Sequence, residues 1–163
     1  MDIGQTTERA ISEWLARAHP VPERARTEWA TQGVALLPLG ARFCAVRMKA
    51  DVVHAAVATE DPSQVSAALG ELLRGPVIHD RRTVGGTYYA LIQWHAGLVW
   101  AHQELAPCFG QDTYLGVPRV DRRDPPGAHW VVAPRYEGNL CVPRAVTALI
   151  EVGRRRLAED SEA

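Results

Sequence analysis

The order of apolar and polar positions divides the chain into alternating helical and extended segments. Apolar residues that recur three and four positions apart predict amphipathic helices, and proline and glycine favour their first and last turns. By these criteria, the predicted helices cover residues 6–18, 22–33, 51–58, 62–75, 97–105 and 143–157. The first two are separated by HPVP, which predicts a helical hairpin at the start of the chain.

Short runs of branched, aromatic or alternating residues predict the strands. These runs are VALLPLG (34–40), RFCAVRM (42–48), PVIHD (76–80), TYYALIQW (87–94), TYLGVP (113–118) and AHWVVAP (128–134). The first run is continuously apolar, which is typical of a strand buried on both faces. Between the third and fourth runs, the glycines of RRTVGG predict a hairpin turn.

The predicted elements define a fold class and a domain organisation. Helices at both ends surround about five to six short strands, which predicts an α+β fold. We expect one mixed or antiparallel sheet packed with the N-terminal and C-terminal helices. The 163 residues suit one domain, which we assign to residues 1–157, and the charged residues 158–163 are expected to form a flexible tail.

The composition excludes several classes of function. The formal net charge is −1, so the chain lacks the overall positive field that favours binding to a phosphate backbone. Three widely spaced cysteines without a C-x-x-C pair argue against a disulfide framework, and the N-terminus lacks the apolar core of a signal peptide. No apolar run has the length of a membrane helix. We therefore expect a cytoplasmic protein without a membrane partner.

The densest group of reactive side chains lies in PVIHDRRTVGGTYYALIQWH, residues 76–95. His79 and Asp80 have the chemistry of a general base with its orienting acid, but neighbours on a strand point to opposite faces, so we expect no dyad. We expect instead an exposed strand end that leads into a turn. Elsewhere, the histidines lack close spacing and the cysteines lack a local nucleophile motif. No metal site, cofactor or catalytic residue is therefore predicted.

Several segments carry a resemblance to a known family. ARTEWATQGVALLPLG, residues 25–40, resembles the start of the bifunctional DNA primase/polymerase N-terminal domain, in which a helix and a glycine precede an apolar run that closes with Pro-Leu. The later segments GTYYALIQW, DTYLGVP and GAHWVVAPRYEGNLCVP are similar to those of small actinobacterial proteins that carry the same domain name. The resemblance covers about residues 25 to 153.

The resemblance implies a family that polymerises nucleotides with two metal ions, held by an Asp-x-Asp or Asp-x-Glu pair on one strand and by a further acidic residue. Side chains two apart on a strand share a face, and paired carboxylates bind hard cations. The corresponding strand here is TYYALIQW, which has no carboxylate, and Asp160 and Glu162 in the tail form the only Asp-x-Glu. His129 matches the histidine that contacts the nucleotide phosphate in that family. We therefore expect no polymerase activity.

The favoured interpretation is a non-catalytic primase/polymerase-like domain that acts as an intracellular interaction or regulatory module with a protein partner. Its contact surface would be the polar loop RVDRRDPPG and the residue that follows it on the next strand. The residues assigned to this surface are Arg119, Arg122, Arg123 and Trp130. A nucleic-acid partner is implied by the resemblance and is unsupported by the charge. An exposed strand such as RFCAVRM or TYLGVP is compatible with pairing across a homodimer.

The alternative interpretation is an enzyme that binds a small molecule or a nucleotide. It would use an anion-binding edge beside the strand TYLGVP. The residues assigned to this edge are His129, Arg135 and Tyr136.

Overall fold

The computed structural model describes residues 3–82 and 85–162, in which the chain forms six helices and seven strands. The helices are α1 (Ile3–Ala16), α2 (Pro22–Gln32), α3 (Ala50–Val57), α4 (Pro62–Leu73), α5 (Trp94–Leu98) and α6 (Pro143–Glu162). The strands are β1 (Val34–Pro38), β2 (Phe43–Lys49), β3 (Val77–Asp80), β4 (Thr87–Gln93), β5 (Cys108–Phe109), β6 (Tyr114–Pro118) and β7 (His129–Val132). These elements confirm the predicted α+β class with helices at both ends.

Five strands form the main sheet in the order β5-β2-β4-β3-β7, and each neighbouring pair is antiparallel. The remaining strands, β1 and β6, pair with each other in a separate antiparallel ribbon. The main sheet is therefore antiparallel, which is one of the two predicted forms. The ribbon is an addition that the sequence pattern did not indicate, because strand order is not encoded in the period of a single strand.

The prediction that β1 is buried on both faces is wrong. Ala35 and Leu37 are fully buried, whereas Leu36 between them is 55% exposed. The ribbon covers one side of the main sheet, and Leu36 lies on its outer, more exposed face. The prediction failed because Leu36, which is apolar, lies on the exposed face of β1, so the sequence of this half-buried strand shows no alternation of apolar and polar residues.

Two layers of apolar side chains cover the main sheet, one on each face. The first layer joins Ile78 and Leu91 to α1, α2 and the ribbon. The second joins Val77 and Ala90 to α3, α4 and α6. Alternation along each strand thus sends successive residues of β3 and β4 into different layers.

The segment after β4 differs from its prediction. A helix was expected over 97–105, but α5 begins directly at the end of β4 and stops at Leu98. The following residues fold back through local turns, in which the Ala106 N–H donates to the carbonyl of His102 at 2.9 Å. The Trp100 indole N–H also donates to the carbonyl of Ala106 at 2.8 Å. These contacts close the segment onto itself and replace the continuous helix.

The last helix continues beyond its predicted end at residue 157. Residues 158–162, which were expected to form a flexible tail, belong to α6, and the Ser161 hydroxyl donates to the Leu157 carbonyl at 3.0 Å. Ala163 lies outside the described residues. Within residues 3–82 and 85–162, no helix combines the length and the apolar character needed to cross a membrane.

The close packing of α3 against α6 depends on a buried glycine. A Cβ at Gly153 would lie 2.2 Å from the backbone oxygen of Val52 in α3, which is much closer than van der Waals contact. We predict that Gly153→Ala lowers the free energy of unfolding by about 3 kcal/mol, because the helices must move apart. The control is Arg155→Ala at an exposed position of the same helix, with an expected change below about 0.5 kcal/mol. Urea unfolding measures both, and equal effects of the two substitutions would contradict the prediction.

Candidate functional site

A cavity of about 780 Å³ opens at the end of the main sheet, where β3 enters the turn that leads to β4. Its inner wall carries four aromatic and imidazole rings, one from helix α3 and three from strands β3, β4 and β7, namely His54, His79, Tyr88 and His129. Its rim carries four exposed charged residues, which are Glu60, Arg81, Arg123 and Asp124. We call this site the histidine cavity.

The register of the main sheet brings three of these rings together. In the pairing of β3 with β4, His79 lies opposite Tyr88, and in the pairing of β3 with β7 it lies opposite His129. The His79 ring stacks on Tyr88 with a centroid distance of 4.1 Å and an angle of 6°. It meets the ring of His129 edge to face at 5.4 Å. His79 is therefore the middle ring of a row across three strands.

The fourth ring comes from α3. Nε2 of His54 lies 2.8 Å from the hydroxyl of Tyr88, and the two groups share a hydrogen bond. Nδ1 of His54 lies 3.9 Å from a carboxylate oxygen of Glu60, whose side chain is 87% exposed. This arrangement fixes the Tyr88 ring, and with it the platform on which His79 stacks.

His79 is the group that the rest of the molecule leaves without a polar partner. It is only 7% exposed, and its ring forms no hydrogen bond with another residue within the described part of the chain. A Cβ at Gly86 would lie 3.0 Å from Nε2 of His79, so the glycine leaves this nitrogen open to the cavity. Among the described residues, no side-chain nitrogen or oxygen is both fully buried and without a partner, so the nitrogens of His79 are accessible from the cavity, where water or a ligand can bond to them.

The surroundings of His79 oppose a positive charge on it. Burial, and to a smaller extent the nearby His129, Arg81 and His54, together lower the pKa of His79 to about 4, while Asp80 acts in the opposite direction. The ring is therefore neutral at neutral pH. Burial also raises the pKa of Tyr88, which keeps its hydroxyl protonated.

His129 has a defined role in the same row. Its Nδ1 lies 3.0 Å from the carbonyl oxygen of Gly127, and a carbonyl oxygen can only accept, so Nδ1 carries the proton. Nε2 of the neutral ring is then an acceptor. His129 is buried and lines the histidine cavity, as the assignment of this residue to a ligand site requires.

The predicted separation of His79 from Asp80 is confirmed. Asp80 pairs with Arg82, and the two guanidinium nitrogens Nη2 and Nε lie 2.7 and 3.1 Å from its Oδ2. The bond to Arg82 holds the pKa of Asp80 below its usual value. The expectation that His79 lies at an exposed strand end is wrong, because α3 and the rim residues around 123–125 cover that end.

The three residues assigned to an anion-binding edge do not meet in one cavity. Arg135 and Tyr136 line a second cavity of about 1040 Å³, between α1, α4 and the segment after β7, whereas His129 lines the histidine cavity. The Arg135 guanidinium lies 3.5 Å from the carbonyl oxygen of Gly70. Arg123 lines both cavities, so the two adjoin at its side chain.

The four residues assigned to a partner surface do not form one surface in the structure. Trp130 is 2% exposed, and its indole N–H donates to the carbonyl of Pro118, so it belongs to the core and not to a surface. Arg122 donates to the carbonyl of Pro126 at 2.8 Å and stabilises its own loop. Arg119 pairs with Asp121. Of this group, Arg123 and the buried Trp130 line the histidine cavity, and Arg123 is the exposed one of the two.

The sequence analysis did not assign His54, Tyr88 or Arg81 to a site. A signal for Tyr88 was present in the predicted hairpin. If Asp80 and Thr87 are the last pair before the turn, the next pair along the two strands is His79 with Tyr88. His54 had no such signal, because its contact with Tyr88 forms only when α3 packs on the sheet, and the sequence of α3 does not indicate that packing. Within the described residues, no group of three His, Cys, Asp or Glu side chains has the geometry of a metal site.

Comparisons with protein-family models, curated proteins and solved structures give no match to this chain. The fold and the site are therefore the basis for a functional proposal.

The low pKa of His79 predicts a pH dependence of stability. The unfolded chain takes up a proton at this histidine near its ordinary pKa of 6.5, whereas the folded protein does so near 4. The free energy of unfolding should therefore fall as the pH drops through this window, by about 2 kcal/mol for this group after allowance for solvent in the open cavity. Urea unfolding between about pH 7 and about pH 4 measures it.

The matched control for this measurement is His79→Phe, which keeps a ring against Tyr88 but does not titrate. Carboxylates that titrate in the same window are present in both proteins, so the difference between their pH profiles isolates His79. The same profile in both proteins would contradict the assignment.

Proposed function

We propose that this chain is a non-catalytic, primase/polymerase-like domain that acts as a cytoplasmic regulatory module by binding a small anionic molecule in the histidine cavity. The observation that carries the proposal is His79, a buried ring without a hydrogen-bond partner whose open nitrogen faces a cavity of ligand size. The three free cysteines are compatible with a reducing compartment.

The charges around the cavity favour an anion. Arg81 and Arg123 on the rim form no ion pair within residues 3–82 and 85–162, and Arg81 is one of the groups that lower the pKa of His79. All four rim residues, Glu60 and Asp124 included, are exposed, so water and salt screen the two negative charges as much as the two positive ones, and the preference for an anion depends on the donors deeper in the cavity. A phosphate or carboxylate can accept from the arginines and from the Tyr88 hydroxyl or the N–H of a neutral imidazole deeper in the cavity.

The same electrostatics argue against proton-transfer catalysis by His79. General bases work best when their pKa lies near the operating pH. With a pKa of about 4, His79 is unprotonated at neutral pH but only weakly basic. These properties suit a binding group better than a catalytic base.

The strand that resembles the metal-binding strand of the polymerases supports a non-catalytic role. It is β4, and its seven residues, Thr87–Gln93, contain no acidic side chain. Tyr88 is the residue of β4 that lines the histidine cavity. A two-metal mechanism needs paired carboxylates at such a position.

A thermal-shift titration tests the binding proposal with inorganic phosphate, ATP, a sugar phosphate and citrate as probes. At least one of these anions should raise the melting temperature in a saturable manner, since a ligand that binds the folded state stabilises it. We predict that Arg123→Ala or His79→Phe raises Kd by about tenfold, because each removes one polar contact with the anion.

The matched control is Arg42→Ala. Arg42 is exposed and precedes β2 at the end that pairs with Gln93, far from Tyr88. Its removal should leave Kd unchanged, whereas equal losses in all three variants would show only a general charge effect. Arg135→Ala tests the adjoining cavity, and a loss confined to this variant would contradict the histidine cavity as the site.

A primer-extension assay tests the non-catalytic part of the proposal. With primed template, nucleotides and Mg²⁺, we predict no extended product from the purified protein, because β4 provides no carboxylate ligands for the metal ions. Extension that disappears in the His129→Ala variant would overturn the proposal. This assay and the thermal-shift titration can fail independently of each other.

A further inference from the structure

Two of the three cysteines lie together at the edge of the main sheet that is remote from β7. Cys108 belongs to β5, whose residues pair with β2 as Phe109 with Ala45 and Cys108 with Val46. Residues two apart on a strand share a face, so Cys44 lies on the same face as Val46 and Cys108. We call Cys44 and Cys108 the thiol pair.

The sulfurs of the thiol pair converge on one point beside α5. A Cβ at Gly97 would lie 2.8 Å from Sγ of Cys44 and 3.3 Å from Sγ of Cys108. The Cys44 thiol donates to the carbonyl of Trp94, the first residue of α5, at 3.5 Å. Both cysteines are free thiols, and the glycine is what allows them to share this space.

The two sulfurs have different acidities. The interaction with Cys108 lowers the pKa of Cys44, although burial opposes this effect. The interaction with Cys44, followed by burial, raises the pKa of Cys108. The shared space therefore favours one thiolate beside one thiol in the pair. Such a division suits a nucleophilic thiolate beside a second thiol that can resolve an oxidised product.

We propose that the thiol pair is an oxidation site at which a hydroperoxide links Cys44 and Cys108 in a disulfide. Cys44 is buried, but Cys108 is half-buried on an edge strand of two residues, so a small oxidant has a short path to the sulfurs. This inference is independent of the ligand proposed for the histidine cavity.

The reaction balances with hydroperoxide as the two-electron oxidant. The Cys44 thiolate attacks one peroxide oxygen, the O–O bond breaks, and the leaving oxygen takes a proton and departs as water or an alcohol. The resulting sulfenic acid is attacked by the Cys108 sulfur, so that the S–S bond forms and the S–O bond breaks. The Cys108 proton leaves with the hydroxide as water. The two thiols are oxidised, and one hydroperoxide is reduced.

Cys141 provides a control within the same chain. It is buried, its thiol donates to the carbonyl of Pro76 at 3.3 Å, and burial raises its pKa to about 12. A thiol with these properties should resist oxidation. Selectivity for Cys44 and Cys108 over Cys141 is therefore a specific expectation of the proposal.

The test treats reduced, folded protein with a small excess of hydrogen peroxide, blocks the remaining thiols and maps peptides by mass spectrometry without reductant. The expected product is one peptide pair joined through Cys44 and Cys108, with the mass of the two peptides less two hydrogen atoms, and dithiothreitol should reverse it. Cys141→Ala should behave as the wild type. Cys108→Ser should give no link and should leave an oxidised Cys44.

The wild-type map decides the outcome even if a variant does not fold. Protein oxidised in urea should form links that include Cys141, which shows that the fold provides the selectivity. Three unreacted thiols in the folded protein, a link through Cys141, or a singly oxidised Cys44 without a link would each overturn the proposal.

Discussion

The pairing of β3 with β4 on one side and with β7 on the other is the constraint on which the candidate site depends. This double pairing places His79 between Tyr88 and His129. A shift of one residue would send every side chain of β3 to the opposite face. Val77 and Ile78 resist such a shift, because they are buried in different apolar layers on the two sides of the sheet. The core residues of a short strand thus specify the position of a polar ring next to them.

Local sequence patterns predicted some parts of the structure and could not predict others. The hairpin of β3 and β4 follows from glycines between two strand-like runs, and it implies the contact of His79 with Tyr88. The contact of His79 with His129 requires the order of strands in the sheet, which no local period contains. The burial of His79 was missed for the same reason, because the covering residues come from α3 and from the loop before β7.

The histidine cavity and the thiol pair lie on the same face and at opposite ends of the same two strands. Tyr88 pairs with Met48 near one end of β2, and Ile92 pairs with Cys44 near the other. The fully buried Val46 and Ala90 lie between these positions. With a rise of about 3.3 Å per residue, four residues separate the two sites by about 13 Å of packed core. The two sites are therefore distinct places on the same face of the sheet.

The packing of β4 bears on the resemblance to primase/polymerase domains. The strand is central in the main sheet, and Tyr88 and Ala90, two residues apart on one face, are both buried against the layer formed with α3, α4 and α6. Two carboxylates at these positions would be buried beside apolar side chains, and buried charges without partners are strongly destabilising. The lack of an acidic pair on this face is therefore consistent with the whole environment of the strand. Aspartates introduced at these positions would disrupt the core before they could create a metal site, so the part of β4 that is open to a ligand is its polar end, where Tyr88 meets the histidines.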